Sequence, residues 1–169
     1  ILLFMGALTV EEQSATNPGH IALVSEICYG GTLFEVLHTR DFIPDPAVPS
    51  PVQSLRIMAD IAFAVSYLHL EGIMHRDLKS LNILFYSPLR RCEDIPVVKV
   101  ADIGLFECFD LNNPVAPRTH NVGTLQWMAP EILIYDENIK GAVYGPKVDQ
   151  WSYGIICYEI MTRKVPFDW

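Results

Sequence analysis

Asp77, Asn82 and Asp102 occur in a fixed order. They lie in His75-Arg76-Asp77-Leu78-Lys79-Ser80-Leu81-Asn82 and Ala101-Asp102-Ile103-Gly104, ahead of Gly123-Thr124-Leu125-Gln126-Trp127-Met128-Ala129-Pro130-Glu131. Two carboxylates and an amide so arranged, with a lysine two residues after the first, are what phosphoryl transfer needs to hold a hydroxyl and magnesium ions together. Taken singly, Asp77 reads as a solvated loop carboxylate and Lys79 as a surface cation. The joint pattern of base, cation and metal ligands is what favours chemistry.

The run HRDLKxxN, followed in order by D-x-G and APE, resembles the catalytic core of protein kinases. The resemblance implies an α+β, protein-kinase-like fold. Residues 1–27 would be the last strands of a small β lobe, 28–31 a hinge and 32–169 an incomplete, mainly helical large lobe. It implies ATP as phosphoryl donor, Mg2+ as the accompanying ion and a protein serine or threonine as acceptor. Asp77 would accept or orient the proton of the substrate hydroxyl, and Lys79 would offset charge on the transferring phosphate. Asn82 and Asp102 would hold magnesium, a hard ion that prefers oxygen.

Further roles follow from the same likeness. Ser25 would be the gatekeeper, the backbones of Glu26 and Cys28 would bond adenine, and Leu84 would form the floor below it. His75 and Gly104 belong to the two motifs. Arg76 would meet a phosphorylated residue of the activation segment through bidentate guanidinium geometry, with Thr119 the nearest candidate. Thr124 would stand beside Asp77, Asp149 would bind backbone amides of the catalytic loop, and Glu131 would seek an arginine lying beyond Trp169. Lys79 and Gly123-Thr124 resemble serine/threonine kinases, whereas Trp127-Met128-Ala129-Pro130-Glu131 looks like the tyrosine-kinase pattern. That hybrid is typical of the tyrosine-kinase-like group, with its Raf-like and mixed-lineage-like members. Ile103 stands where the family has phenylalanine; it retains packing between His75 and Phe4 but buries less area than a ring.

The elements that must position these groups are visible in the pattern. Ile1–Val10 and Ile21–Ile27 read as adjacent antiparallel strands around the turn-rich segment 11–20 with its Asn17-Pro18-Gly19. Thr32 is placed to cap a short helix after Gly30-Gly31. A proline-rich loop, 42–51, ends with Ser50 as N-cap and Pro51 at the first helical position. The helix that follows, to Leu70, is apolar on two faces and is expected to be largely buried, with Gly72 ending it. Residues 83–86 and 97–100 read as a hairpin, and 102–131 as a long loop of little periodicity. A second buried helix is expected over 148–161, stopped before Pro166.

At 169 residues, half of them apolar, the chain can build one substantial core. Its net charge of −8 argues against a nucleic-acid footprint or an anionic-membrane partner. Cys28, Cys92, Cys108 and Cys157 show no C-x-x-C spacing, so reduced thiols in a cytoplasmic protein are expected. No apolar run reaches transmembrane length. The apolar start and the absence of a glycine-rich loop, a strand lysine and a helix glutamate suggest a fragment cut at both ends and inactive by itself. The competing readings are a pseudokinase or truncated scaffold, against which intact Asp77, Lys79, Asn82 and Asp102 weigh, and a small-molecule phosphotransferase, against which Ala129-Pro130-Glu131 weighs.

Overall fold

The computed structural model describes residues 1–10, 20–39, 48–102, 104–138 and 140–167. The expected turn at 11–19, most of the proline-rich loop and Ile103 lie outside them. β1 (Phe4–Val10) and β2 (His20–Ser25) pair antiparallel, as their β-branched and apolar residues favour. The chain then runs along the hairpin of β4 (Ile83–Phe85) and β5 (Val98–Val100). Tyr29 N–H donates to the Tyr86 carbonyl and Gly30 N–H to that of Phe85, and Leu2 N–H reaches the Val100 carbonyl. These bonds tie the first sheet and the connecting segment to the hairpin.

Both long-range helix starts are set locally. Thr32 caps α1 (Leu33–His38) in a reciprocal box with Glu35, and Ser50 caps α2 (Pro51–Leu70) in another with Gln53. Gln53 also donates from its buried amide to the carbonyls of Arg91 and Asp94, so the start of α2 holds down the insert between β4 and β5. Gly72, at a φ of 71°, supplies the left-handed residue that ends α2.

The core lies where α2 crosses α4 (Lys147–Thr162) and the hairpin. Ile57, Ile61, Val65, Phe85, Ile156 and Ile160 are among its buried members. The stripe 57/61/65/68 has the i, i+4 and i, i+3 spacing that one helix face presents. The other apolar face of α2 is covered in part: Met58 and Ala62 are half-buried, while Leu55 is exposed and Phe63 is 75% exposed. Expected burial on two faces is therefore corrected to full burial of the 57/61/65/68 face and partial cover of the other.

The segment expected as one long loop contains regular pieces. β3 (Ile73–Met74) pairs with β6 (Glu107–Cys108), and β7 (Ala116–Arg118) pairs with β8 (Ala142–Tyr144). A 3-10 turn over Leu125–Trp127 leads to the short helix α3 (Pro130–Leu133). Met74, Ala129, Ile132, Ala142, Tyr144 and Val148 form a second buried cluster beneath it.

A Cβ on Gly30 would overlap the Phe85 Cβ and the Ser87 carbonyl oxygen. Gly30→Ala is expected to cost about 1–3 kcal/mol of stability by overpacking, read as a lowered urea midpoint.

Candidate active site

The catalytic loop begins with two backbone amides bound by one carboxylate. His75 N–H donates to Asp149 Oδ2 at 2.8 Å and Arg76 N–H to Oδ1 at 2.9 Å, while His69 Nε2 meets Oδ2 at 2.8 Å. Asp149 is fully buried in the first turn of α4. Its burial is tolerable because every listening dipole is a donor aimed at it. With that anchor fixed, Arg76 holds a left-handed backbone (φ 65°), and Asp102 another (φ 71°), conformations that surrounding bonds must impose on non-glycine residues.

His75 is also buried, and its tautomer follows from its partners. Nε2 lies 2.9 Å from the Ala101 carbonyl, which can only accept, so Nε2 carries the proton; Nδ1 faces the Asp77 N–H at 3.3 Å and must accept. Burial pushes the ring below its ordinary value of 6.5, against the opposing pull of the Ala101 bond and Asp149. The ring packs on Phe106, centroids 4.7 Å apart.

Asp77, Lys79 and Thr124 close a three-membered cluster. Lys79 Nζ donates to Asp77 Oδ2 at 2.7 Å and to Thr124 Oγ1 at 2.8 Å; the Thr124 hydroxyl donates its single proton to Asp77 Oδ1 at 2.7 Å. Gly123 (φ 114°) permits this approach, since a Cβ there would stand 2.6 Å from the Arg76 carbonyl oxygen. Asn82 donates to the Asp77 carbonyl at 2.8 Å, and its Nδ2 lies 3.4 Å from Asp102 Oδ2. Asp102 is exposed and accepts from Gly104 N–H through Oδ1. Asp102 offers carboxylate oxygens while Asn82 turns its amide NH2 toward them, so a cation held here would need that amide to present its oxygen and would keep waters, as magnesium does.

A cavity of about 320 Å³ opens beside Asp102, lined among others by Phe4, Leu23, Ser25, Val100 and Gly104. Leu84 is half-buried on the hairpin, and Cys28 is half-buried with its thiol pushed up by burial and then by Glu26. The Glu26 N–H is taken by the Leu3 carbonyl, and its carboxylate by Leu3 N–H and Lys99.

Other groups at the site carry no motif. Glu159, fully buried on α4, accepts from Ser80 Oγ at 2.8 Å and Trp127 Nε1 at 2.6 Å and meets His38 Nε2 at 3.2 Å. Burial raises its pKa, against these three partners. Ser152 donates to the Trp127 carbonyl. The available signal was their spacing from Asp149, which puts all three on one face of α4. Arg76, expected to meet a phosphorylated residue of the activation segment, is paired with Glu107, which also pairs with Arg118. Thr119 is exposed and Tyr144 Oη donates to its carbonyl. Glu131 forms no ion pair among the described residues.

Residues 9–169 match the family model of the protein kinase domain. The chain belongs to the protein kinase family. It is 32% identical over its whole length to serine/threonine-protein kinase STY46 of Arabidopsis thaliana. It is 33% identical over 168 residues to serine/threonine-protein kinase A-Raf of Mus musculus. It is 37% identical over 151 residues, 89% of the chain, to calcium/calmodulin-dependent protein kinase type IV of Homo sapiens. It spans 24%, 24% and 28% of the lengths of these relatives. The fold is accordingly the α+β fold of a kinase domain, and no helix among the described residues is long and apolar enough to cross a membrane.

Two outcomes check this geometry. Nuclear magnetic resonance should find His75 as the neutral Nε2–H ring at about pH 6, where an ordinary histidine is mostly protonated. Because its folded pKa is depressed, the stability it contributes is full above the ordinary histidine range and is lost as pH falls through that range to the folded value. Asp149→Ala should lower unfolding free energy by about 3 kcal/mol or more, since it strands buried donors.

Proposed function

We propose that the protein is an ATP-dependent serine/threonine protein kinase of the tyrosine-kinase-like group. The observation that carries the reading is the Asp77–Lys79–Thr124 cluster, a carboxylate oriented by a cation and a hydroxyl, with Asn82 and Asp102 adjoining it. In the transfer, the substrate hydroxyl oxygen bonds to the γ-phosphorus while the bridge to the β-phosphate breaks and its electron pair leaves with ADP. Asp77 orients that hydroxyl and takes its proton, and its ion pair with Lys79 keeps the carboxylate aimed. Lys79 lies where it can turn its ammonium to the phosphoryl oxygens as negative charge redistributes.

Magnesium, when held by Asn82 and Asp102, would neutralise phosphate charge. Ser25 and the backbones of Glu26 and Cys28 would receive adenine, with the cavity beside Ser25 supporting a small gatekeeper and Leu84 beneath. Residues 1–27, 28–31 and 32–169 would then be small-lobe strands, hinge and large lobe. The pairing of Lys79 with Thr124 favours serine and threonine acceptors, and two of the three relatives above are named serine/threonine-protein kinases. All four cysteines are unbridged, as suits a cytoplasmic setting.

In the full-length protein, Asp77→Asn should lower kcat for phosphate transfer to a serine or threonine peptide by about 10²- to 10⁴-fold with the fold retained. Undiminished transfer, or none by the wild type, would overturn the reading in favour of a non-catalytic scaffold.

A further inference from the structure

Glu107 occupies an unusual electrostatic position. Its Oε2 takes Arg76 Nη1 and its Oε1 takes Arg118 Nη1, so both carboxylate oxygens are occupied by separate guanidinium groups. The arginine side chains are 12% and 6% exposed and Glu107 31%. Each arginine is fixed elsewhere: Arg76 Nε donates to the Leu105 carbonyl at 2.6 Å, and Arg118 Nε to that of Tyr144 at 3.3 Å. Tyr144 Oη closes the network by donating to the Thr119 carbonyl at 2.8 Å.

The three charges come from three places in the chain. Arg76 adjoins Asp77, Glu107 lies on β6 opposite Met74, and Arg118 lies on β7. One carboxylate therefore joins the catalytic loop to both ends of the 107–118 segment. Without it, two largely buried guanidinium groups would face one another uncompensated, an arrangement that repels and disorders.

We propose that Glu107 is a built-in counter-anion that holds this segment against the catalytic loop in place of a phosphoryl group, so that the segment is ordered without phosphorylation. An arginine pair is a ready phosphate seat, but here the seat is filled from within. A phosphoryl group entering it would have to displace a carboxylate that repels it. The hydroxyl of Thr119 takes no part in the network; only its carbonyl does. The effect on transfer rests on the kinase reading, whereas the effect on order does not.

The test compares the full-length protein before and after complete dephosphorylation by a broad-specificity phosphatase, with Glu107→Gln, Glu107→Asp and Thr119→Ala alongside. Hydrogen exchange over 107–118 and steady-state transfer to a peptide are measured. Protection and kcat of the wild type and of Thr119→Ala should be unchanged by dephosphorylation. Glu107→Gln should lose protection and at least about tenfold in kcat, with the KM for ATP little altered, and Glu107→Asp should recover both in part. The proposal is overturned if dephosphorylation loosens the wild-type segment or if Glu107→Gln keeps full protection. Should Glu107→Gln fail to fold, the dephosphorylated wild type and Glu107→Asp decide by the same two readouts. Absence of transfer by every form would defeat the kinase reading, with exchange still deciding the clamp.

Discussion

A buried polar stripe on α4 governs the site. Asp149, Ser152 and Glu159 occupy one face of a helix whose other inward residues, Val148, Ile156 and Ile160, are apolar. Burying two carboxylates and a hydroxyl is unfavourable unless each finds partners. Here the partners are the amides of His75 and Arg76, the hydroxyl of Ser80, and the indole N–H and carbonyl of Trp127. The helix, the catalytic loop and the turn over Leu125–Trp127 satisfy one another, so none can shift without stranding polar atoms in the others. Thr124 reaches Asp77 because both of their segments are fixed to the same helix.

Much of the frame was legible because its causes are local. Thr32 and Ser50 cap helices with partners three residues away, Pro51 and Gly72 bracket α2, and the hairpin expected at 83–86 and 97–100 pairs Ile83–Phe85 with Val98–Val100. Asp149 was legible as a charge in an apolar helix, and the motif residues converge around Asp77. Where the determinants are non-local, the sequence was silent. β3, β6, β7 and β8 are two or three residues long and exist through partners distant in the chain, for which period-two alternation has no length to register. The second apolar face of α2 read as buried because composition cannot say which face has a neighbour.

The ionic partners of the site show the same limit. Arg76 was read as a partner for a phosphorylated residue because arginine forks suit phosphate, and the pairing with Glu107 on a neighbouring strand had no signal in the sequence. Packing against His75 was expected of Ile103, which lies outside the described residues, and Phe106, further along the segment, stacks on the ring. In both cases residue type was informative about the need and uninformative about the supplier, since suppliers are chosen by backbone paths that two short strand pairs set.

Those strand pairs also change the chain statistics of the segment between Asp102 and Glu131. A free loop of that span would carry a large closure entropy, but the β3–β6 and β7–β8 ladders divide it into short arcs. The arc 109–115 begins and ends beside fixed ladders, so both of its ends are held by the fold. Lengthening such an arc costs only about 0.6 kcal/mol per doubling. Sequence and length there can therefore drift widely while the spacing between Asp77 and Thr124 stays constant, which makes this arc the part of the segment most open to divergence.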